Sequence, residues 1–212
     1  MASHDSSAFT VAVLAGGASR RMGANKSFVE LAGKPLVQHT LERVQPLNAP
    51  VILVTNSPDL YSRFEVPMVS DTIPGKGSLG GIYTALMNSK TPFTLCVACD
   101  MPFLNVDLLN YLLSLRVGFD AVVPMIDGQP QGLHAVYHRR CAVPMHELMD
   151  RDELRITRLF DHLRVWLVGE AAVRAIDPEL RSFTNLNTPE ELARVRRSID
   201  DHFPPKADQA GG

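Results

Sequence analysis

Near-continuous apolar runs alternate along this chain with segments of helical periodicity, and this alternation restricts the fold more than any other feature. The apolar runs predict strands at 9–15, 50–55, 67–70, 93–98 and 119–125. The segments between them predict helices at 35–45, 79–89 and 106–117. Strands that are apolar throughout are typical of a sheet covered on both faces. The sequence therefore predicts an α/β fold with a Rossmann-like, mostly parallel sheet and helices on both faces.

The pattern changes after residue 125. Shorter strands are predicted at 132–141 and 164–169, on either side of a helix near 142–150. From residue 182 the sequence predicts a strand, a turn and a final helix. We accordingly divide one predicted domain into a part at about 9–125 and a part at about 126–203.

Composition and charge exclude several classes of protein. The 212 residues, 45% hydrophobic and 21% charged, suit one large globular domain over 9–203, between flexible segments at 1–8 and 204–212. A formal net charge of -2 argues against a general basic surface for nucleic acid. Residues 1–8 lack the features of a signal peptide, and no apolar run approaches the ~20 residues that span a bilayer. We therefore expect a cytoplasmic protein that binds neither nucleic acid nor membrane.

The cysteines do not form a recognisable metal or disulfide framework. Cys96 and Cys99 make a C-x-x-C within the predicted strand "FTLCVACD". Residues three apart in a strand face opposite sides of the sheet. The spacing therefore favours two separate buried thiols over a redox pair or half a zinc site.

A glycine-rich, cationic loop follows the first predicted strand, in "VAVLAGGASRRMGANKS". It matches neither G-x-x-x-x-G-K-[ST] nor G-x-G-x-x-G. The adjacent Gly16 and Gly17 allow backbone N–H groups to approach a ligand closely, and Arg20, Arg21 and Lys26 add positive charge. The loop is suited to a polyanion such as a triphosphate. The alternative is a tight turn followed by solvated cations.

Polar side chains follow three further predicted strands. Asn56 comes after the second strand, Asp71 after the third and Asp100 after the fourth. Ligands of parallel α/β sheets bind beyond the carboxyl ends of the strands. Mg²⁺ favours one or two carboxylates together with phosphate oxygens, so Asp100 beside a triphosphate would suit it. The Asn56 amide suits a base edge or a ribose hydroxyl. Helix caps or turns are the alternative roles for the two aspartates.

Five ordered motifs resemble those of a known family. "LAGGASRRMGANK" resembles the signature of nucleotidyltransferases with a Rossmann-like sheet, of glycosyltransferase-A-like architecture. "SDTIPGKGSLGGI", "CDMPFL", "GLHAVY" and "FTNLNTPEELARV" follow in the order found in molybdenum cofactor guanylyltransferases. The resemblance runs from about Phe9 to Ser198. The chain departs from the usual pattern at Asn25, where many members carry aspartate, and at Ser78, where proline is usual.

The resemblance implies that GMP is transferred from GTP to molybdenum-bound molybdopterin, with release of pyrophosphate and a requirement for Mg²⁺. The part at 9–125 would bind the nucleotide and the part at 126–203 the acceptor. The family pattern implies these GTP-binding residues: Leu14, Ala15, Gly16, Gly17, Lys26, Asn56, Asp71 and Asp100. Catalysis would rest on Asp100 as the metal ligand and on Lys26 and Arg21 as the cations at the leaving pyrophosphate. Asn185 and Asn187 would lie on the molybdopterin side. The molybdenum insertase and molybdoenzyme chaperones are the partners that the family implies.

Several alternatives stay open on the sequence alone. A related transferase would use CTP, or a sugar or polyol phosphate acceptor, although such proteins more often show L-A-A-G in place of "LAGG". A non-catalytic nucleotide sensor would keep the loop, whereas a nicotinamide-dependent oxidoreductase is disfavoured by the missing fingerprint. His134 is a candidate general base, and His134 and His138 together are a candidate metal-binding pair. Contact with substrate or packing is the preferred role for His134. Trp166 is predicted to lie in the core.

Overall fold

The computed structural model describes residues 8–16, 26–184, 186 and 191. Four positions that the family resemblance marked lie outside the described residues: Gly17, Arg21, Asn185 and Asn187. So do nearly all of the two ends predicted to be flexible and, apart from Glu191, the predicted final helix.

The described residues form ten strands and seven α-helices. The strands are β1 (Phe9–Leu14), β2 (Glu30–Leu31), β3 (Lys34–Pro35), β4 (Val51–Val54), β5 (Met68–Val69), β6 (Phe93–Ala98), β7 (Ala121–Ile126), β8 (Gln129–Pro130), β9 (His134–His138) and β10 (Val165–Val168). The helices are α1 (Leu36–Val44), α2 (Pro58–Tyr61), α3 (Gly77–Asn88), α4 (Val106–Ser114), α5 (Ala142–Asp150), α6 (Ile156–Leu159) and α7 (Glu170–Arg174). Single 3₁₀ turns occupy Lys26–Phe28, Gln45–Leu47, Ser62–Phe64, Arg139–Cys141, Phe160–His162 and Arg181–Phe183.

One mixed sheet organises the molecule, and its strands lie in the order β5-β4-β1-β6-β9-β7-β10. The pairs β4–β5, β1–β4, β1–β6 and β7–β10 are parallel. β9 runs antiparallel to both of its neighbours, β6 and β7, and β8 pairs antiparallel with β7. The prediction of a mostly parallel sheet is confirmed. Because β9 reverses between them, β6 and β7 point the same way, and their carboxyl ends meet at one edge of the sheet.

Helices cover both faces of this sheet, as the continuous apolar strands predicted. On one face α1 and α4 pack through residues such as Val37 and Leu112. On the other face α3 and α5 pack through residues such as Ile82 and Met145. Cys96 belongs to the second core and Cys99 to the first, and both are buried free thiols. The prediction that the C-x-x-C does not act as one unit is confirmed.

The two best-defined helix starts have clear local causes. Asn105 caps α4, because its side-chain oxygen accepts hydrogen bonds from the backbone N–H groups of Asp107 and Leu108. At the start of α3 the chain turns sharply, with Gly77 at φ 57. A Cβ on Gly80 would lie 2.8 Å from the Cβ of Lys76, so only glycine fits this first turn without a shift of the backbone. Gly77 therefore allows the positive φ at the start of α3, and Gly80 allows the close approach of Lys76.

Two sequence predictions are wrong. The strand expected from residue 182 is a 3₁₀ turn at Arg181–Phe183, because the Asp177 carboxylate accepts hydrogen bonds from the backbone N–H groups of Arg181 and Ser182. Trp166 is 45% exposed rather than in the core, since β10 is an edge strand of the sheet. Among the described residues its ring packs against that of Phe119. Among the described helices, none has the length and apolarity needed to cross a bilayer.

Candidate active site

The candidate site lies at the edge where the parallel strands end. Leu14 pairs with Val54 on one side and with Ala98 on the other, so β1, β4 and β6 finish in register. The residues that follow these strands therefore lie side by side. This juxtaposition is what the positions of Asn56, Asp71 and Asp100 predicted.

Backbone hydrogen bonds hold the end of β1 between its two neighbouring strands. The backbone N–H of Ala15 donates to the Val54 carbonyl oxygen at 2.9 Å, and the N–H of Cys99 donates to the Leu14 carbonyl oxygen at 3.1 Å. Gly16 is exposed, and a Cβ there would meet no described atom within 4 Å. With respect to the described residues, a side chain at position 16 would therefore meet no steric obstacle.

Asn56 and Asp71 form a reciprocal pair across the ends of β4 and β5. The Asn56 Nδ2 donates to Asp71 Oδ2 at 2.7 Å, while the Asp71 backbone N–H donates to Asn56 Oδ1 at 2.8 Å. These two hydrogen bonds determine the orientation of the Asn56 side-chain amide, with Nδ2 as the donor and Oδ1 as the acceptor. The second carboxylate oxygen of Asp71, Oδ1, can accept a further hydrogen bond at this edge of the sheet.

Lys26 and Asp100 lie in neighbouring parts of the structure at the end of β6, because the side chains of the adjacent Ser27 and Cys99 are 3.0 Å apart. Burial raises the pKa of the Asp100 carboxyl, and its own backbone N–H and the positive charge of Lys26 partly oppose that effect. A partly desolvated carboxylate beside an ammonium group is a common feature of functional sites. The structure thus brings together two of the three residues predicted to be catalytic.

Asp100 is the residue at this edge that would suit Mg²⁺. No cluster of three or more His, Cys, Asp or Glu residues among those described is arranged to hold a metal ion. Mg²⁺ is usually held by one or two carboxylates with substrate phosphates and water, rather than by an all-protein cage. A single desolvated carboxylate at Asp100 meets that requirement.

Thr40 supports the turn that carries Asp100, and the sequence analysis missed it. Its hydroxyl lies 3.1 Å from the Cys99 carbonyl oxygen and 3.3 Å from that of Met101. The Leu36 carbonyl oxygen also lies 3.2 Å away, so the single hydroxyl hydrogen is shared among three acceptors and ties α1 to the turn that carries Asp100. The available signal was a threonine on the otherwise apolar face of the predicted helix at 35–45.

The described thiols near the sheet are not nucleophiles. Burial raises the pKa of Cys99 to about 12 and that of Cys141 to about 12. A thiol with such a pKa is protonated at neutral pH, and the thiolate is the reactive form. Covalent catalysis by these side chains is therefore disfavoured.

His134 is a packed core residue rather than a metal ligand. It is fully buried, and its ring lies 4.6 Å from that of Phe183. His138 packs against Phe93 instead, and its Nδ1 accepts a hydrogen bond from the Arg140 backbone. The two histidines therefore do not converge on a common site, which agrees with the packing role preferred from the sequence.

Comparison with known proteins decides the family. The model of the MobA-like NTP transferase domain matches residues 11–165. The chain belongs to the MobA-like NTP transferase family. The resemblance that the five motifs indicated is confirmed.

Relatives of this MobA-like chain match it over most of their length. It is 35% identical over 190 residues to a probable molybdenum cofactor guanylyltransferase of Bacillus licheniformis, covering 86% of this chain and 94% of the relative. It is 33% identical over 194 residues to a molybdenum cofactor guanylyltransferase of Desulfosudis oleivorans, covering 91% of this chain and 96% of the relative.

Solved structures agree with the MobA-like assignment. The crystal structure of molybdopterin-guanine dinucleotide biosynthesis protein A from Archaeoglobus fulgidus has a TM-score of 0.81 and 32% identity, covering 91% of this chain and 99% of that one. A 4-diphosphocytidyl-2C-methyl-D-erythritol synthase from Anaerococcus prevotii, at 13% identity and a TM-score of 0.67, shares the fold. The match covers 93% of this chain and 98% of the Anaerococcus prevotii chain. The predicted nucleotidyltransferase architecture is confirmed.

Proposed function

We propose that this chain transfers GMP from GTP to the terminal phosphate of molybdenum-bound molybdopterin, forming molybdopterin guanine dinucleotide and pyrophosphate. The relatives named as molybdenum cofactor guanylyltransferases support the reaction. The observation that carries the proposal is that the turns of Lys26 and Asp100, joined by the Ser27–Cys99 contact, lie at the same carboxyl edge of the sheet as the Asn56–Asp71 pair.

The chemistry requires no nucleophile from the chain. An oxygen of the acceptor's terminal phosphate forms a bond to the α-phosphorus of GTP, and the bond from that phosphorus to the bridging oxygen breaks to release pyrophosphate. Positioning and charge stabilisation then carry catalysis. The protonated thiols of the described chain are consistent with this route.

Each charged residue has a distinct task in this scheme. Lys26 neutralises charge on the leaving pyrophosphate, a task that Arg21 would share. Asp100 would hold the Mg²⁺, which supplies charge neutralisation on the phosphate oxygens when it is bound. The backbone at Leu14, Ala15 and Gly16 would then line the space for the nucleotide.

The Asn56–Asp71 pair supports guanine as the base. Guanine presents N–H donors at N1 and N2 on one edge, and an acceptor carboxylate complements both. Cytosine offers one amino donor beside two acceptors on the corresponding edge, and those acceptors would face the Asp71 carboxylate unfavourably. Asn56 Nδ2 occupies one lone pair of Asp71 Oδ2, so Oδ1 and the second lone pair of Oδ2 can accept from the two guanine donors.

Asp71→Asn is expected to weaken GTP binding by about 10- to 100-fold, the range of a charge-assisted hydrogen bond. The new amide oxygen still accepts from Asn56, so the pair survives, but the remaining acceptor becomes a donor. Thermal unfolding with GTP, CTP, ATP and UTP, each with and without Mg²⁺, measures the effect. A ligand at 100 times its dissociation constant adds about 2.7 kcal/mol to the stability of the native state.

The same titration tests the proposed function. The unaltered chain should be stabilised by GTP and not by CTP, and Asp161→Asn, an exposed carboxylate shortly before β10, should behave like it. A shift with CTP instead would favour the related transferase that forms a cytosine dinucleotide. Stabilisation by no nucleotide would count against the site altogether.

The cellular setting follows from the reaction and not from the described residues. A cytoplasmic location and hand-over of the pterin by the molybdenum insertase are proposals. Delivery of the product to molybdoenzyme chaperones is a further proposal of the same kind.

A further inference from the structure

A buried group of polar side chains lies directly beneath the candidate site. We call it the Ser27 network; it consists of the side chains of Ser27, Tyr61 and Cys99 with the carbonyl oxygen of Ala15. Ser27 is 3% exposed, Tyr61 is fully buried and Cys99 is 8% exposed. These residues come from the 3₁₀ turn at 26–28, from α2 and from the end of β6, so the network joins three separate parts of the chain.

Short contacts link its members. The Tyr61 hydroxyl donates to Ser27 Oγ at 2.9 Å, and Ser27 Oγ lies 3.0 Å from Cys99 Sγ. The Tyr61 oxygen also lies 3.4 Å from the Ala15 carbonyl oxygen. Phe28 packs on the Tyr61 ring at 4.9 Å between centroids, which limits movement of the phenol.

Three of the four members of the network are site residues or chain neighbours of site residues, and Tyr61 is the exception. Ser27 follows Lys26, Cys99 precedes Asp100, and Ala15 lies at the end of β1. Holding Ser27 against Cys99 therefore fixes the distance between the backbones that carry Lys26 and Asp100. Tyr61 holds the same serine from the opposite side.

Packing alone does not require polar atoms at these positions. Apolar side chains of similar size would fill the same volume without the cost of burying hydroxyl groups. Satisfied buried networks fix one arrangement of a core more strictly than apolar contacts do. A network of this kind directly under two charged groups indicates a requirement for their geometry.

We propose that Ser27 and Tyr61 are positioning residues that hold Lys26 and Asp100 in the arrangement needed for turnover, an inference that rests on the proposed function. Ser27 acts on Asp100 through Cys99, and Tyr61 acts through Ser27. Misplacement of a reacting group by about 1 Å costs up to about 100-fold in rate, so a shift that small would matter.

Ser27→Ala and Tyr61→Phe should each lower kcat for GMP transfer about 10-fold, the equivalent of one neutral hydrogen bond, with a smaller change in KM for GTP. The double variant should be no slower than Ser27→Ala, because Tyr61 acts through the serine. If the two residues acted independently on the reaction, by contrast, their effects on kcat would multiply. Steady-state pyrophosphate release and thermal unfolding are measured for all variants.

The chain offers a matched control at the opposite edge of the sheet. Ser89 is also a buried serine, and its hydroxyl lies 3.0 Å from the Thr91 hydroxyl, which lies 2.8 Å from that of Thr10. Ser89→Ala should lower stability as Ser27→Ala does, but leave kcat unchanged. If the wild type is active and Ser27→Ala and Ser89→Ala have the same kcat, the positioning role is overturned while the proposed function stands. A wild-type chain that releases no pyrophosphate would overturn the proposed function and the positioning role with it.

Discussion

Replacing Asp100 with asparagine is expected to reduce the turnover of GMP transfer by about 10³-fold, because a metal ligand contributes several kcal/mol of charge stabilisation in the transition state. Asparagine keeps the size of the side chain and removes its negative charge. The measurement is pyrophosphate release at saturating GTP and acceptor, repeated over a Mg²⁺ titration. The residual activity of the variant should respond only weakly to Mg²⁺.

The Asp100 variant should remain folded, which separates its effect on activity from one on stability. Because burial raises the pKa of this carboxyl, its charged form is disfavoured by the fold at neutral pH, and removing the charge should not lower the free energy of unfolding. Asp161→Asn serves as the control and should leave turnover unchanged. Turnover within about threefold of wild type in Asp100→Asn would refute the assignment of Asp100 as the metal ligand.

His134 is expected to make the protein unstable in mild acid. Burial lowers the pKa of His134 to about 4, against an ordinary value of 6.5, and the nearby Asp177 charge and Ser182 backbone only partly oppose this. Neither ring nitrogen makes a well-formed hydrogen bond to a described residue. The folded chain thus keeps the ring neutral while the unfolded chain takes up a proton.

Lowering the pH should lower the free energy of unfolding, because the unfolded chain takes up a proton on His134 more readily than the folded chain does. Below about pH 6.5 the unfolded state binds a proton that the folded state does not, so stability falls until the folded pKa is reached near pH 4. The total loss is about 3 kcal/mol. Denaturant unfolding between pH 7 and pH 4 measures it. His134→Leu should flatten this part of the pH dependence, and parallel curves for the variant and the wild type would show that His134 is not the cause.

Much of the architecture could be predicted because it depends on local pattern. The continuous apolar strands required cover on both faces, and α1, α3, α4 and α5 supply it. The predicted helix near 142–150 coincides with α5, since its apolar spacing is regular. Strand direction is not a local property, so the antiparallel insertion of β9 between β6 and β7 was not predicted. The exposure of Trp166 has the same origin, because an edge strand has the same composition as a central one.

The site was predictable where it depends on strand ends and not where it depends on distant partners. Asn56, Asp71 and Asp100 lie where parallel strands finish, and the pairing of Leu14 with Val54 and Ala98 aligns them. The contacts of Ser27 join residues 34 and 72 positions apart, to Tyr61 and to Cys99. Contacts between residues so far apart leave no local sequence pattern, and a serine that follows a lysine does not by itself indicate a buried network.

GMP transfer itself is measured by supplying the full chain with GTP, Mg²⁺ and molybdenum-bound molybdopterin and quantifying both products. We expect molybdopterin guanine dinucleotide and pyrophosphate in equal amounts, with little product when CTP replaces GTP. Formation of the product only with CTP would contradict the assignment of guanine to the Asn56–Asp71 pair. Absence of pyrophosphate with both nucleotides would contradict the proposed reaction.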